Sequence, residues 1–177
     1  SAAAAVAVAG SSLLVGCGED EYQKTGRIGS TLKLMGTFRM YDNPAPTFAL
    51  DKSSTTNGTF TCKLNIKCTT KKVPLYVAAG CFQLTVIHDG KKTNYADSGY
   101  VTVDKPNFKL AEKDDAEDFT ITVKGNTSNP LNIVAGDKVE FMYWPRIQAS
   151  SGNSGYTRAF CTWKMDAVSE SGSIKLK

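Results

Sequence analysis

The stretch Thr59-Phe60-Thr61-Cys62-Lys63-Leu64-Asn65-Ile66-Lys67-Cys68-Thr69 alternates without a break, with Phe60, Cys62, Leu64, Ile66 and Cys68 apolar and the residues between them polar. A period of two sends successive side chains to opposite faces of a pleated strand. The five apolar side chains therefore share one face, which needs a second layer to cover it, while the polar face meets water.

Working outward, the same period returns. Thr31 to Tyr41 sets Leu32, Leu34, Phe38 and Met40 against Lys33, Thr37 and Arg39, with Gly36 read as a bulge or close-packing point. Cys81 to His88 sets Phe82, Leu84 and Val86 against Gln83 and Thr85. Shorter pieces follow at Val101 and Val103, Phe108 and Leu110, Phe119 to Val123, Val139 to Tyr143, Cys161 to Met165, and Ile174 and Leu176. Asp89-Gly90 predicts a tight hairpin, because both central positions of a type I′ turn want positive φ. Asn43-Pro44, Asn57-Gly58, Asn129-Pro130, Gly136-Asp137 and the run Ser150 to Gly155 break the chain in the same manner. One short helix is expected, over Ala111 to Asp118. The expected fold is all-β: an antiparallel β-sandwich, jelly-roll-like, of about eight to ten strands. It occupies residues 21–177, behind an apolar N-terminal arm over residues 1–20.

Composition agrees with one such unit. The chain has 177 residues, 41% of them hydrophobic and 21% charged, which excludes wholesale disorder, a coiled coil, collagen and a multi-span membrane protein. A net charge of +4 is too small for a dedicated nucleic-acid binder. A local basic face remains: Lys33 and Arg39 share the outer side of one segment, Lys63 and Lys67 that of another, and adjacent strands would merge them into a stripe able to meet nucleic acid. Charged outer faces also keep sheets soluble and edges unpaired.

Cys62 and Cys68, six residues apart in one strand, stand about 20 Å from each other and cannot be bridged. With Cys161 they fall on apolar faces, so buried thiols are expected, suited to a reducing compartment. The alternative pairs Cys81 with Cys161 or another partner.

The search for reaction chemistry returns mainly absences. The single histidine, His88, precedes a turn and reads as a surface residue. No two Cys or His ligands have zinc-site spacing, Gly90-Lys91-Lys92-Thr93 lacks the rest of a phosphate loop, and neither Gly-x-Ser-x-Gly nor Gly-x-Gly-x-x-Gly occurs. The acidic run Glu112, Asp114, Asp115, Glu117 and Asp118 lacks the calcium-loop pattern and reads as a solvated linker or a docking patch. Asn57-Gly58-Thr59 and Asn126-Thr127-Ser128 fit the N-glycosylation pattern, which matters only for a secreted chain. No cofactor, no metal and no catalytic residue is expected. A polysaccharide-active enzyme stands as a distant third class of function, with Trp144, Tyr143 and Trp163 as a stacking platform and Tyr143 and Trp163 assigned rather to the core.

Ser1 to Cys17 carries no charged side chain and ends Leu14-Val15-Gly16-Cys17, just before Glu19, Asp20 and Glu21. It is too short and small-sided for a membrane span. On one reading Ser1 follows a removed initiator Met, and Ala5, Val6, Val8, Leu13, Leu14 and Val15 form a permanent arm that packs on another copy. On the other, the segment resembles the tail of a bacterial lipoprotein signal whose Cys17 takes lipid, although no basic residue precedes the apolar run.

Two functions follow. The first expectation is a non-enzymatic structural subunit of a virion, a capsid or tail-tube protein assembled with copies of itself in a reducing cytoplasm through its β faces and arm. The alternative is a bacterial cell-surface lipoprotein or binding module, with membrane attachment only through lipid on Cys17.

Overall fold

The computed structural model describes residues 22–42, 46–49, 58–70, 74–148 and 154–177. In chain order the strands are β1 (Gln23–Gly26), β2 (Thr31–Lys33), β3 (Gly36–Met40), β4 (Thr47–Ala49), β5 (Thr59–Cys68), β6 (Leu75–Val77), β7 (Phe82–His88) and β8 (Lys91–Ala96). They continue with β9 (Val101–Val103), β10 (Phe108–Leu110), β11 (Ala116–Lys124), β12 (Lys138–Tyr143), β13 (Arg146–Gln148), β14 (Ser154–Tyr156), β15 (Phe160–Glu170) and β16 (Ser173–Leu176). A 3-10 turn, Ala79–Cys81, is the one short helix among the described elements. The deciding stretch is a single ten-residue strand, β5. Its five apolar side chains are wholly buried, Lys63 is exposed, and Thr61, Asn65 and Lys67 are half-buried on the other side.

The all-β sandwich is as expected. One sheet runs β1-β15-β12-β7-β8, with β16 also paired to β15; the second runs β2-β3-β5-β11-β9, with β4 also paired to β5; the third runs β10-β6-β13-β14. The first two face each other across the core, where Phe38 meets Tyr143 edge-on at 4.8 Å between ring centroids and Phe60 meets Phe141 at 5.4 Å. The third sheet gives Leu75, Val77 and Leu110 to the same hydrophobic cluster and sets Phe108 edge-on to Phe119 at 5.6 Å.

Local chemistry explains the connection of β7 to β8. Asp89 and Gly90 adopt φ of 48° and 80°, both positive as the expected turn requires, and His88 pairs directly with Lys91 across it. At Gly36 a Cβ would lie 2.7 Å from the Lys67 carbonyl oxygen, so the glycine is a close-packing point between β3 and β5.

Five expectations are corrected. Sixteen strands are described rather than eight to ten, because nine of them span only three or four residues, too short to display a period. Thr31 to Tyr41 is not one strand but the pair β2 and β3, which turns back at Leu34-Met35 with Leu32 opposite Phe38. Ala111 to Asp118 is not a helix. The Asp115 carboxylate accepts from the Glu112 amide at 3.0 Å, the Asp114 amide donates to the Cys68 carbonyl at 2.8 Å, and β11 begins at Ala116. Short acidic side chains that bind nearby backbone compete with a helical turn, and this run has no apolar stripe to bury. Finally, Ser154 and Gly155 belong to β14 instead of a break, and β1 pairs with β15 in parallel, an exception in the described sheets. Asn43-Pro44, Asn57, Lys71, Lys72 and Ser150 to Asn153 lie outside the described residues.

Candidate functional site

The chain crosses from the first sheet to the third between Tyr143 at the end of β12 and Arg146 at the start of β13, and Trp144 sits at that corner. Alternation sends Tyr143 inward, so Trp144 faces out and keeps 37% of its surface exposed. The indole is fixed by its surroundings. Its N–H donates to the Thr157 carbonyl, and its backbone amide donates to the Cys81 carbonyl at 2.7 Å. The ring stacks on Tyr156 of β14, centroids 4.8 Å apart and planes 29° from parallel; Tyr156 is itself 43% exposed.

Pairing in the third sheet extends this corner into a row. Arg146 lies directly opposite Tyr156 on one side and Tyr76 on the other, and Tyr76 lies opposite Lys109. Directly paired residues project from the same face of a sheet. Lys109, Tyr76, Arg146 and Tyr156 therefore form a line of alternating cations and aromatics across four strands, on the face away from Leu75, Val77 and Leu110. The Arg146 guanidinium carbon stands 5.5 Å from the Tyr156 ring centroid, in cation–π range. Its Nε is buried without a hydrogen-bond partner, and no ion pair joins Arg146 or Lys109 to a carboxylate among the described residues.

The platform expected of Trp144, Tyr143 and Trp163 is not the one present. Tyr143 and Trp163 are wholly buried, as their assignment to the core required, and burial pushes the Tyr143 phenol well above its ordinary range. Tyr156, Arg146, Tyr76 and Lys109 were not singled out in the sequence. Their association is a matter of strand pairing across up to 80 residues, for which no local pattern exists.

The basic face assembles only in part. β3 and β5 are neighbours, so Lys33, Thr37 and Lys67 line up across three strands, with Arg39 opposite Asn65 and Lys63 on the same side. Acidic groups enter the same face. Asp118 lies opposite Asn65 and accepts from its Nδ2 at 2.9 Å and from the Tyr41 hydroxyl at 2.8 Å, and these bonds hold its carboxyl below the usual carboxylate range. Asp114 lies 3.7 Å from Lys67. The face is mixed in sign, a poor track for a phosphate backbone.

His88 is exposed, with Nδ1 2.6 Å from Asp137 and Nε2 3.4 Å from Asp89. Cys62, Cys81 and Cys161 are free and buried, so the Cys81–Cys161 bridge is not formed, and Cys68 is buried as well. Burial raises Cys62 and Cys161 strongly and pushes Cys81 up to about 11. Among the described residues no cluster of three His, Cys, Asp or Glu side chains suits a metal, and no helix is long and apolar enough to cross a membrane. Ala5, Val6, Val8, Leu13, Leu14, Val15 and Cys17 lie outside the described residues. No protein-family model, curated protein or solved structure matches the chain.

Proposed function

We propose that the chain is a non-enzymatic recognition module held at a bacterial cell surface by lipid on Cys17, with the corner around Trp144 as its contact surface. The observation that carries this reading is the character of the described surface. Its exposed large hydrophobic residues are Val134, Trp144 and Tyr156, and two of these are the stacked pair itself. An arm of Ala, Val and Leu that binds a second copy needs a contiguous apolar seat, and among the described residues these three side chains do not supply one. The apolar run ahead of Cys17 is then better read as the tail of a leader, with Leu14-Val15-Gly16-Cys17 as its box and Gly18 to Glu21 as a polar tether ahead of β1. Cys62, Cys81 and Cys161 are poorly suited to nucleophilic chemistry, since burial keeps them protonated near neutral pH.

A self-assembling virion subunit, capsid or tail tube, is the second reading. The open edge favours it: β8 ends its sheet and offers six residues of backbone to an added strand, although Lys91 and Lys92 guard it. Intact mass and particle size decide between the two. In a bacterial host the expected result is a membrane-associated chain whose mass exceeds that of the polypeptide by acyl groups, the excess disappearing in Cys17→Ser. An unlipidated chain in a megadalton particle overturns the anchored reading and selects the assembly.

A further inference from the structure

We propose that the outer face of the third sheet binds an acidic polysaccharide, with the Trp144 ring stacking on a sugar and Arg146 and Lys109 receiving its carboxylates. The proposal deepens the recognition reading above and rests on it.

Three observations choose this occupant. The first is charge. Arg146 and Lys109 lack carboxylate partners among the described residues, and Arg146 carries an Nε that is buried without a hydrogen bond. An anion on this face meets unneutralised cations, one of them with the planar fork that suits a carboxylate. The second is shape. The cations lie two strands apart in the row, about 10 Å at the usual strand spacing, along one face of the sheet. An extended polymer with repeating charges fits such a row.

The third observation separates a sugar polymer from a single-stranded nucleic acid. Nucleic-acid platforms offer a free aromatic face to each of several bases. Here Tyr156 is covered by Trp144 on one side and approached by Arg146 at 5.5 Å. Trp144, with 37% of its surface open and no cation set over it among the described residues, offers one stacking face. One ring face flanked by cations matches one sugar ring between charged neighbours. The indole is also fixed in place by its bond to Thr157, so little side-chain freedom is lost on binding.

Polygalacturonate is the probe, with dextran and a thymidine oligonucleotide as the other arms, titrated against the full chain by calorimetry. Expected are binding of polygalacturonate that weakens as salt rises, dextran at least about tenfold weaker, and a loss of roughly tenfold or more in Trp144→Ala and in Arg146→Gln. Lys109→Gln, an exposed change at the far end of the row, gives a smaller loss, and unchanged thermal melts of all three variants guard against a general folding defect. Unaltered affinity in both Trp144→Ala and Arg146→Gln, absence of polygalacturonate binding, or preference for the oligonucleotide or dextran overturns the proposal. Lipid on Cys17 without binding sinks this inference alone; binding by a chain that is never lipidated sinks the anchored reading alone.

Discussion

Nδ1 of His88 lies 2.6 Å from Oδ1 of Asp137, joining the end of β7 to the turn that opens β12. Asp137 is buried, and its other oxygen accepts from the Val134 amide at 3.0 Å. The imidazole is exposed, yet it faces a carboxylate held inside the fold.

That pair predicts a direction of pH dependence. The bond to Asp137, followed by the charges of Asp137 and Asp89, raises the His88 pKa above its ordinary 6.5. A raised histidine pKa adds stability that is fully present below the unfolded value and is lost as pH rises through the folded one. Urea unfolding at about pH 5.5 and about pH 8.5 should show a larger difference in the native chain than in His88→Gln. An equal difference in both would assign the pH dependence to other groups. A proton-resonance titration of the imidazole should give a midpoint above the unfolded value.

Cys62, Cys81 and Cys161 predict a reactivity pattern. A thiol reacts as thiolate, and these are buried, with Cys81 raised to about 11. A thiol-specific disulfide reagent at neutral pH should modify all three only as the chain unfolds. Rapid modification of any of them in the native chain, located by mass spectrometry, would contradict the packing described.

Gly36 tests the approach of β3 to β5. A Cβ there would lie 2.7 Å from the Lys67 carbonyl oxygen and 3.0 Å from Leu75 Cδ1, and a backbone atom cannot swing aside. Gly36→Ala should cost about 1–3 kcal/mol, in the range of core overpacking. Gly155→Ala is the control, since nothing lies within 4 Å of a Cβ there, and it should change stability by less than about 0.5 kcal/mol. Equal effects in chemical denaturation would refute the distinction.

The two kinds of residue also show what a sequence carries. Phe60, Leu64, Ile66, Phe119, Ile121, Val139 and Phe141 are all wholly buried, because alternation over six to ten residues states which face is inward. Strands of three residues state far less: β10 was marked only by Phe108 and Leu110, β6, β13 and β14 by nothing, and these four form the sheet that bears the candidate site. Trp144 drew attention as an aromatic residue, but its partner Tyr156 follows 12 residues later through a hairpin, and Tyr76 and Lys109 arrive from elsewhere in the chain. A row across strands is written in register, which no local period encodes.

The last prediction concerns the segment ahead of the sandwich. The described fold begins at Tyr22 and is tied down at once. β1 pairs with Phe160 to Trp163, the Arg27 guanidinium donates to Asp166 at 2.7 Å and to the Lys177 carbonyl at 2.8 Å, and the Trp163 indole donates to the Ser30 carbonyl at 3.2 Å. The core that these residues close is filled by side chains from Leu32 to Leu176. A chain beginning at Gly18 retains every one of these interactions, whereas a chain beginning at Thr31 loses β1, the Arg27 bonds and the Ser30 acceptor. The first should unfold cooperatively in urea with a stability within about 0.5 kcal/mol of the full polypeptide, and should stay monomeric by light scattering. The second should be markedly less stable, because it uncovers the edge of β15 beside the buried Trp163. If removal of residues 1–17 alone abolishes cooperative unfolding, the apolar segment is a working part of the sandwich core, and neither a cleaved leader nor an arm for a second copy describes it.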